Sequence, residues 1–291
     1  MQTLRASLVV IADEILAGYV RDTNSGWLAG RLHALGIPLD RVSVVPDTVE
    51  AIVEALTAEL GRDRPRVVFT SGGIGTTPDD RTMPAVARFL GVDLVTDPTI
   101  DRMVAGIVER LESHGQRVDR AQRKALAKLA RVPEGASALT GADGGAPSAR
   151  VDIDGGPLVD GGLAIIVLPG VPSQFRDLVT GLEPTLLAGR GVVAHVEELQ
   201  HPFPESLLTP LLEDLEQRVP DVRIGSYPGP LNTLRVQGDA RAVTPVVAEL
   251  RAEIDRLADD PHMRHLAERW WDGWTVAAQR WDDDPGPPDG D

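Results

Sequence analysis

Three short apolar runs in this chain, Leu8-Val9-Val10-Ile11, Val67-Val68-Phe69 and Ala164-Ile165-Ile166-Val167-Leu168, each break into a loop rich in glycine, aspartate or proline. Runs this short and this uniformly apolar read as strands covered on both faces, the pattern of a parallel sheet between helices. The segments between them agree. Asp22 to Leu35 reads as a helix with Gly36 past its end, Leu39 to Val45 as a strand, and Val49 to Leu60 as a helix before Gly61. Thr82 to Leu90, Pro98 to Ser113 and Val118 to Ala130 read as three more helices. This βαβα alternation predicts an α/β fold with three α/β/α layers around a mostly parallel sheet.

Open α/β sheets bind ligands beyond the C-terminal ends of their strands, and the chain concentrates its chemistry there. The second run leads into Thr70-Ser71-Gly72-Gly73-Ile74-Gly75-Thr76-Thr77-Pro78-Asp79-Asp80-Arg81-Thr82. Glycines let backbone N–H groups approach a phosphate, and a helix N-terminus adds partial positive charge. A plain strand-to-helix turn would use the same residues for geometry alone. Asp79 and Asp80 suit an N-cap, a magnesium ion, or both. The first run leads into Ala12-Asp13-Glu14 and then Asp22-Thr23-Asn24, and the third into Pro169-Gly170-Val171-Pro172-Ser173. The acidic pair at 13 and 14 and the amides after residue 71 are therefore expected to share one phosphate-sized hollow.

Four segments together resemble the molybdopterin-binding (MoaB/Mog-type) domain family: Ala12 to Gly18, Asp22-Thr23-Asn24, Gly72-Gly73-Ile74-Gly75 to Asp80, and Leu168-Pro169-Gly170-Val171-Pro172. Their order and spacing are most similar to the N-terminal part of competence/damage-inducible protein A and to the corresponding domain of FAD synthase. Ile224-Gly225-Ser226-Tyr227-Pro228 also resembles the FAD synthase relatives. The resemblance implies a molybdopterin or a nucleotide held by its phosphate and, in several members, metal-dependent cleavage or formation of a phosphoanhydride. The chain departs from the family at Ala12, where Gly is usual, at Thr76, where Pro is usual, and near Pro78 and Asp79, where the family has His or Arg. Nothing past residue 260 resembles the deamidase part of the one relative or the adenylylating domain of the other, so complete FAD synthase activity is not expected.

Carried over by position, the resemblance implies Asp80 as the leading catalytic residue. Asp13 and Glu14 follow, as metal ligands or as the base that orients a water, with a divalent ion (magnesium or cobalt) at Asp13 and Asp80. Ser71, Gly72, Gly73, Gly75 and Thr77 would bind phosphate, with Thr82 donating its hydroxyl. Asp22 and Asn24 would bind ligand hydroxyls or ring nitrogens, or else cap the next helix. Pro169 and Gly170 would border the ligand, and Ser173 would bind phosphate or cap the helix that begins there. Three functions follow. The first is a metal-dependent pyrophosphatase acting on a dinucleotide such as FAD or ADP-ribose. The others are molybdopterin binding or adenylylation, and a non-catalytic binding module.

A net charge of −15 argues against wrapping nucleic acid, because the surface repels phosphate. An anionic ligand must then be held locally, by amides, arginine or a metal. The absence of cysteine excludes disulfides and thiolate metal sites. The apolar stretch before Asp13 is too short for a leader or a membrane span, which predicts a cytoplasmic protein without membrane contact.

The expected domain boundaries fall at 190 and 258. Residues 191–258 read as β-α-β-β-α, a small split-βαβ α+β domain. Within the first domain, Thr140 to Gly162 is rich in Gly, Asp and Pro, with Val151 to Pro157 reading as a hairpin and Gly145-Ala146-Pro147 resembling a family motif. Residues 259–291 hold Leu266, Trp270, Trp274 and Trp281 at helical spacing, beside Trp271. That helix is expected to dock, on its own domain, on a second copy in a homo-oligomer or on another protein. Asp282 to Asp291 is acidic and expected to be disordered.

Overall fold

Successive residues of the first strand are buried on opposite faces: Ala6, Leu8 and Val10 join one hydrophobic core with the preceding Leu4, whereas Val9 and Ile11 join another. A strand with two buried faces needs a helical layer on each, and that is the architecture. The computed structural model describes residues 2–139, 148–153, 161–229 and 231–269. Two compact units divide the chain, residues 1–193 and 194–291.

The first unit begins with β1 (Arg5–Ile11), a one-turn helix α1 (Asp13–Leu16), α2 (Asn24–Ala34), β2 (Leu39–Val45), α3 (Val49–Leu60) and β3 (Arg66–Ser71). It continues through α4 (Thr82–Leu90), β4 (Leu94–Thr96), α5 (Pro98–Ser113), α6 (Arg120–Leu126), a 3-10 turn at Ala127–Ala130 and β5 (Arg131–Pro133). Then come β6 (Ser137–Leu139), β7 (Ser148–Ile153), β8 (Leu163–Leu168) and α7 (Pro172–Leu182). The main sheet has the order β2-β1-β3-β8-β7-β6, parallel through β8 and antiparallel beyond it. Leu28 and Leu32 of α2 with Phe175 and Leu178 of α7 cover one face. Ile52 and Leu56 of α3, Val86 of α4 and Ile100 of α5 cover the other.

Register matters most for function. Ile11 pairs with Val45, Val10 with Ser71, and Ser71 with Leu168, so four parallel strands end in line. The loops after residues 11, 45, 71 and 168 therefore open on one edge. Local chemistry sets the helix starts: Thr48 accepts from the Ala51 N–H ahead of α3, and Asp97 accepts from Thr99 and Ile100 N–H with Pro98 at the first helical position of α5.

The opposite, N-terminal edge is closed by a buried ionic network. Arg66 and Glu59 are 1% and 2% exposed. Ser7 Oγ donates to Glu59 Oε2 at 2.5 Å and accepts from Arg66 Nη1 at 2.7 Å, while Arg66 Nη2 reaches Asp40 Oδ2 at 2.7 Å. Burial raises the Asp40 carboxyl, but hydrogen bonds from Arg5 and Arg66 outweigh it and hold the carboxyl below its ordinary value.

The second unit contains β9 (His195–His201), α8 (Thr209–Arg218), β10 (Arg223–Tyr227), β11 (Asn232–Gly238) and α9 (Ala240–Asp259). Its sheet order is β10-β11-β9, with β11 antiparallel to both neighbours. Residues 261–269 are helical. The expected loop at 140–147, the hairpin tip at 154–157, Trp270, Trp271, Trp274 and Trp281, and the acidic tail lie outside the described residues. Among the described residues no helix is long and apolar enough to cross a membrane.

Arg66→Met leaves Glu59 buried beside fewer cations and is expected to cost about 3–5 kcal/mol in urea unfolding. Adding Glu59→Leu should recover part of that loss, because the second change removes the stranded charge. A single variant as stable as the parent would show the network to be solvated.

Candidate functional site

The loop after β3 has a shape only glycine allows at two positions. Gly72 and Gly73 have φ of +106° and +65°, in the region unfavourable to side chains. A Cβ on Gly72 would lie 2.3 Å from Ile11 O, and one on Gly73 would lie 2.4 Å from Thr82 Oγ1. Gly72 N–H donates to Leu168 O at 3.1 Å and Thr82 N–H to Gly73 O at 2.9 Å, which ties the loop to β8 and to the start of α4.

Asp80 organises the rest of the loop. Its Oδ1 accepts from Gly75 N–H at 2.6 Å, and its Oδ2 accepts from Thr77 N–H at 2.7 Å and Thr77 Oγ1 at 2.5 Å. Both oxygens are thus engaged by the loop itself. The N–H groups of Gly73, Ile74 and Thr76 donate to no described residue, and these are the amides open to an anion. Gly75 and Thr77, expected to bind phosphate through their donors, turn those donors to Asp80 instead. Thr82 is also corrected: it is fully buried, and its hydroxyl donates to Gly72 O at 2.8 Å.

The loops at the strand ends enclose a cavity of about 810 Å³, with Glu14, Asp22, Asn24, Ser71 to Thr77, Asp80, Pro169 and Gly170 in its wall. Glu14 and the open amides therefore meet in one hollow, as expected. Asp13 and Ser173 do not line it. One residue of an α-helix turns the side chain by about 100°. In α1 that rotation brings Glu14 to the cavity and leaves Asp13 exposed, its N–H donating to Asp47 Oδ2 at 2.7 Å. Ser173 is exposed, and α7 begins without a side-chain cap.

Asn24 staples three of the loops. It is 5% exposed, and its Nδ2 donates to Ser71 Oγ at 3.0 Å and to Gly170 O at 2.9 Å. A carbonyl only accepts, so the Gly170 contact settles which end of the amide faces it. Asn24 Oδ1 is buried without a donor among the described residues, the mark of a polar group whose partner the polypeptide does not supply. Asp22 both lines the cavity and caps α2, with Oδ1 accepting from Asn24 N–H at 3.0 Å and Ser25 N–H at 3.1 Å and Oδ2 accepting from the Ser25 hydroxyl.

Sequence reasoning missed Asp47, which follows β2 and lines the same cavity. Applying the strand-end rule to β2 as well would have found it. Partial burial, then the charges of Asp13, Glu14 and Asp79, push its carboxyl above the ordinary range against the Asp13 N–H. Arg21, Arg110, Ile107 and Leu129 also line the cavity; no motif announces them.

Among the described residues no group of three or more His, Asp or Glu side chains could hold a metal. With Asp80 engaged by its own loop and Asp13 outside the wall, the described residues build no metal cage. The donor set fits a divalent ion only as one shared with a ligand's phosphates, where one or two carboxylates suffice.

Comparison with known proteins places the same region. A family model described as a probable molybdopterin binding domain matches residues 7–188. The chain is 36% identical over 258 residues to a protein of Aeropyrum pernix, covering 86% of this chain and 89% of that one. It is 33% identical over 277 residues to a CinA-like protein of Mycolicibacterium paratuberculosis, covering 89% of this chain and 60% of that one. This chain thus spans less than two thirds of that relative's length. The crystal structure of CinA from Thermoplasma acidophilum, a protein described as of unknown function, is 28% identical with a TM-score of 0.51, over 62% of this chain and 97% of that one.

Asp80→Ala is expected to speed hydrogen exchange at the Gly75 and Thr77 amides in the ligand-free, metal-free protein, and unchanged exchange would remove Asp80 from its loop-ordering role. For Asp47 the folded-state pKa lies above the unfolded one. Its destabilising charge is therefore absent below the ordinary carboxylate pKa and grows as pH rises through the raised value. Asp47→Asn should raise the melting temperature at neutral pH and low salt, with the gain vanishing by about pH 3; a gain independent of pH would contradict the crowding of carboxylates.

Proposed function

We propose, from the premise that this chain belongs to the family described as a probable molybdopterin binding domain, that it binds a phosphate-bearing nucleotide or pterin at the C-terminal edge of its parallel strands and hydrolyses a pyrophosphate such as that of FAD or ADP-ribose. One observation carries the reading: Gly73, Ile74 and Thr76, whose N–H groups have no acceptor among the described residues, line one cavity with Glu14. Amides at the mouth of α4 stabilise phosphate charge without adding net charge of their own.

Hydrolysis needs a water activated beside the anhydride. Glu14 is the cavity carboxylate to take that proton, since no described residue donates a hydrogen bond to it. Water oxygen forms a bond to phosphorus, the bridging P–O bond breaks, and two phosphate monoesters leave. A divalent ion, magnesium or cobalt, would supply charge neutralisation on the phosphates that carry it in. Asp80 acts on this chemistry by holding the loop in shape. The family match favours one other ligand, molybdopterin, bound or adenylylated; formation of adenylylated product from molybdopterin and ATP separates that reaction from hydrolysis.

Purified protein with magnesium or cobalt should release a mononucleotide from FAD or ADP-ribose. Glu14→Gln should lower kcat by about 10²-fold or more with little change in KM, whereas Asp80→Ala should chiefly raise KM. Turnover that survives Glu14→Gln intact would refute the assignment.

A further inference from the structure

We propose that the corner between α5 and the 3-10 turn at Ala127–Ala130 is a second ligand subsite, in which Arg110 takes a phosphate and Ile107 and Leu129 take an aromatic ring. The inference rests on the phosphate-binding reading above and deepens it, because it names the residues that would hold one arm of the ligand.

The glycine loop lines the cavity from Ser71 to Thr77. Its start is held by the Asn24 contact to Ser71, and Asn24 also reaches Gly170 in the loop after β8. Near its far end, Lys128 Nζ donates to Thr76 O at 3.3 Å, which brings Leu129, the next residue, to that flank. Leu129 packs partly on the core formed by α3, α4 and α5 and also lines the cavity with Ile107. Both are half-buried. A half-buried aliphatic pair beside an anion loop suits the face of a purine, flavin or pterin ring.

Arg110 stands on the same helix face as Ile107, three residues on, and lines the same cavity. Acidic residues outnumber basic ones 44 to 29 in this chain, and elsewhere Arg5, Arg31, Arg88, Arg123 and Arg218 each pair with a carboxylate. The Arg110 guanidinium pairs with none among the described residues. A fork of N–H donors without a carboxylate partner among the described residues, lining one cavity with the open amides, suits a bidentate phosphate contact. A phosphate on the loop amides, a second on Arg110 and a ring on Ile107 and Leu129 leave the Asn24 flank for the other arm. The ligand class is then a diphosphate bearing an organic group at each end.

The test is calorimetric titration of the purified protein with inorganic pyrophosphate, ADP and ADP-ribose. Arg110→Ala should weaken all three by about tenfold or more, and Arg110→Lys should restore part of the loss. Ile107→Ala should weaken ADP and ADP-ribose by about tenfold and leave pyrophosphate unchanged. Arg102→Ala removes the same charge from α5 outside the cavity and should change nothing. The arginine variants should melt with the parent, since Arg110 and Arg102 are exposed; Ile107 is half-buried, and unchanged pyrophosphate binding by Ile107→Ala shows that its site is intact whatever its melting temperature. Parent-like binding of every probe by Arg110→Ala and Ile107→Ala would overturn the subsite and leave phosphate binding at the loop intact. Failure of the parent protein to bind any of the three would overturn both.

Discussion

No side chain fits at residue 72, and the functional edge of the molecule is built around that exclusion. Gly72 lies against Ile11 O, donates to Leu168 O, and has its Cα within 3.4 Å of where a Cβ on Gly170 would stand. The ends of β1 and β3 can approach this closely only because residue 72 is glycine, whereas a Cβ at 170 would make an ordinary contact. Any larger residue at 72 would part the strands and with them the walls of the cavity. Asn24 works to the same end from outside the sheet, spending both amide hydrogens to hold Ser71 and Gly170 together.

A carboxylate in the middle of an anion-binding loop looks self-defeating on charge alone. Geometry resolves it. Asp80 draws the N–H groups of Gly75 and Thr77 inward, and successive peptide units in a tight loop then leave Ile74 and Thr76 N–H pointing elsewhere. The loop is ordered before any ligand arrives, so little conformational entropy remains to be lost on binding. The cost is a fixed negative charge near the phosphate, added to Glu14 and Asp47. Unpaired arginines in the wall offset that field, and they do so in a protein whose surface otherwise repels anions.

Much of this could be read from the chain, and the misses have physical causes. β2, α3, α4 and α5 begin and end where expected, because apolar periodicity there coincides with local stops such as Gly61 and Gly91 and starts such as Thr48 and Asp97-Pro98. The strands β4, β5 and β6 went unread: three residues are too few to show a period, and β4 is largely exposed. Residues after β1, β3 and β8 are legible because topology places such ends together, whereas Asp47 after β2 is less so, since no glycine-rich motif marks that loop. Which way each side chain turns is a tertiary outcome, so Asp13 and Glu14 could not be told apart, and Thr82 was credited with a ligand when it bonds the backbone. Arg110 and Ile107 lie mid-helix, where a cavity-facing residue has the same sequence signature as a solvated one.

The two edges of the sheet show how the chain divides stability from function. At the N-terminal edge every buried charge is matched: Arg66 between Asp40 and Ser7, Glu59 among Ser7, Arg62 and Arg66. At the C-terminal edge carboxylates crowd one another, and among the described residues several amides lack acceptors and Asn24 Oδ1 lacks a donor. The titration directions follow. Asp40 is held below its ordinary value, so its contribution is present above the unfolded pKa and is lost as pH falls through the folded one. Asp47 is raised, so its penalty is relieved by acid. The edge that stabilises the fold pairs its buried charges with one another, though Arg62 Nε faces Glu59 without a hydrogen bond. The opposite edge leaves groups unsatisfied and therefore gains most from a ligand that brings phosphate oxygens to its amides and cationic charge to its carboxylates.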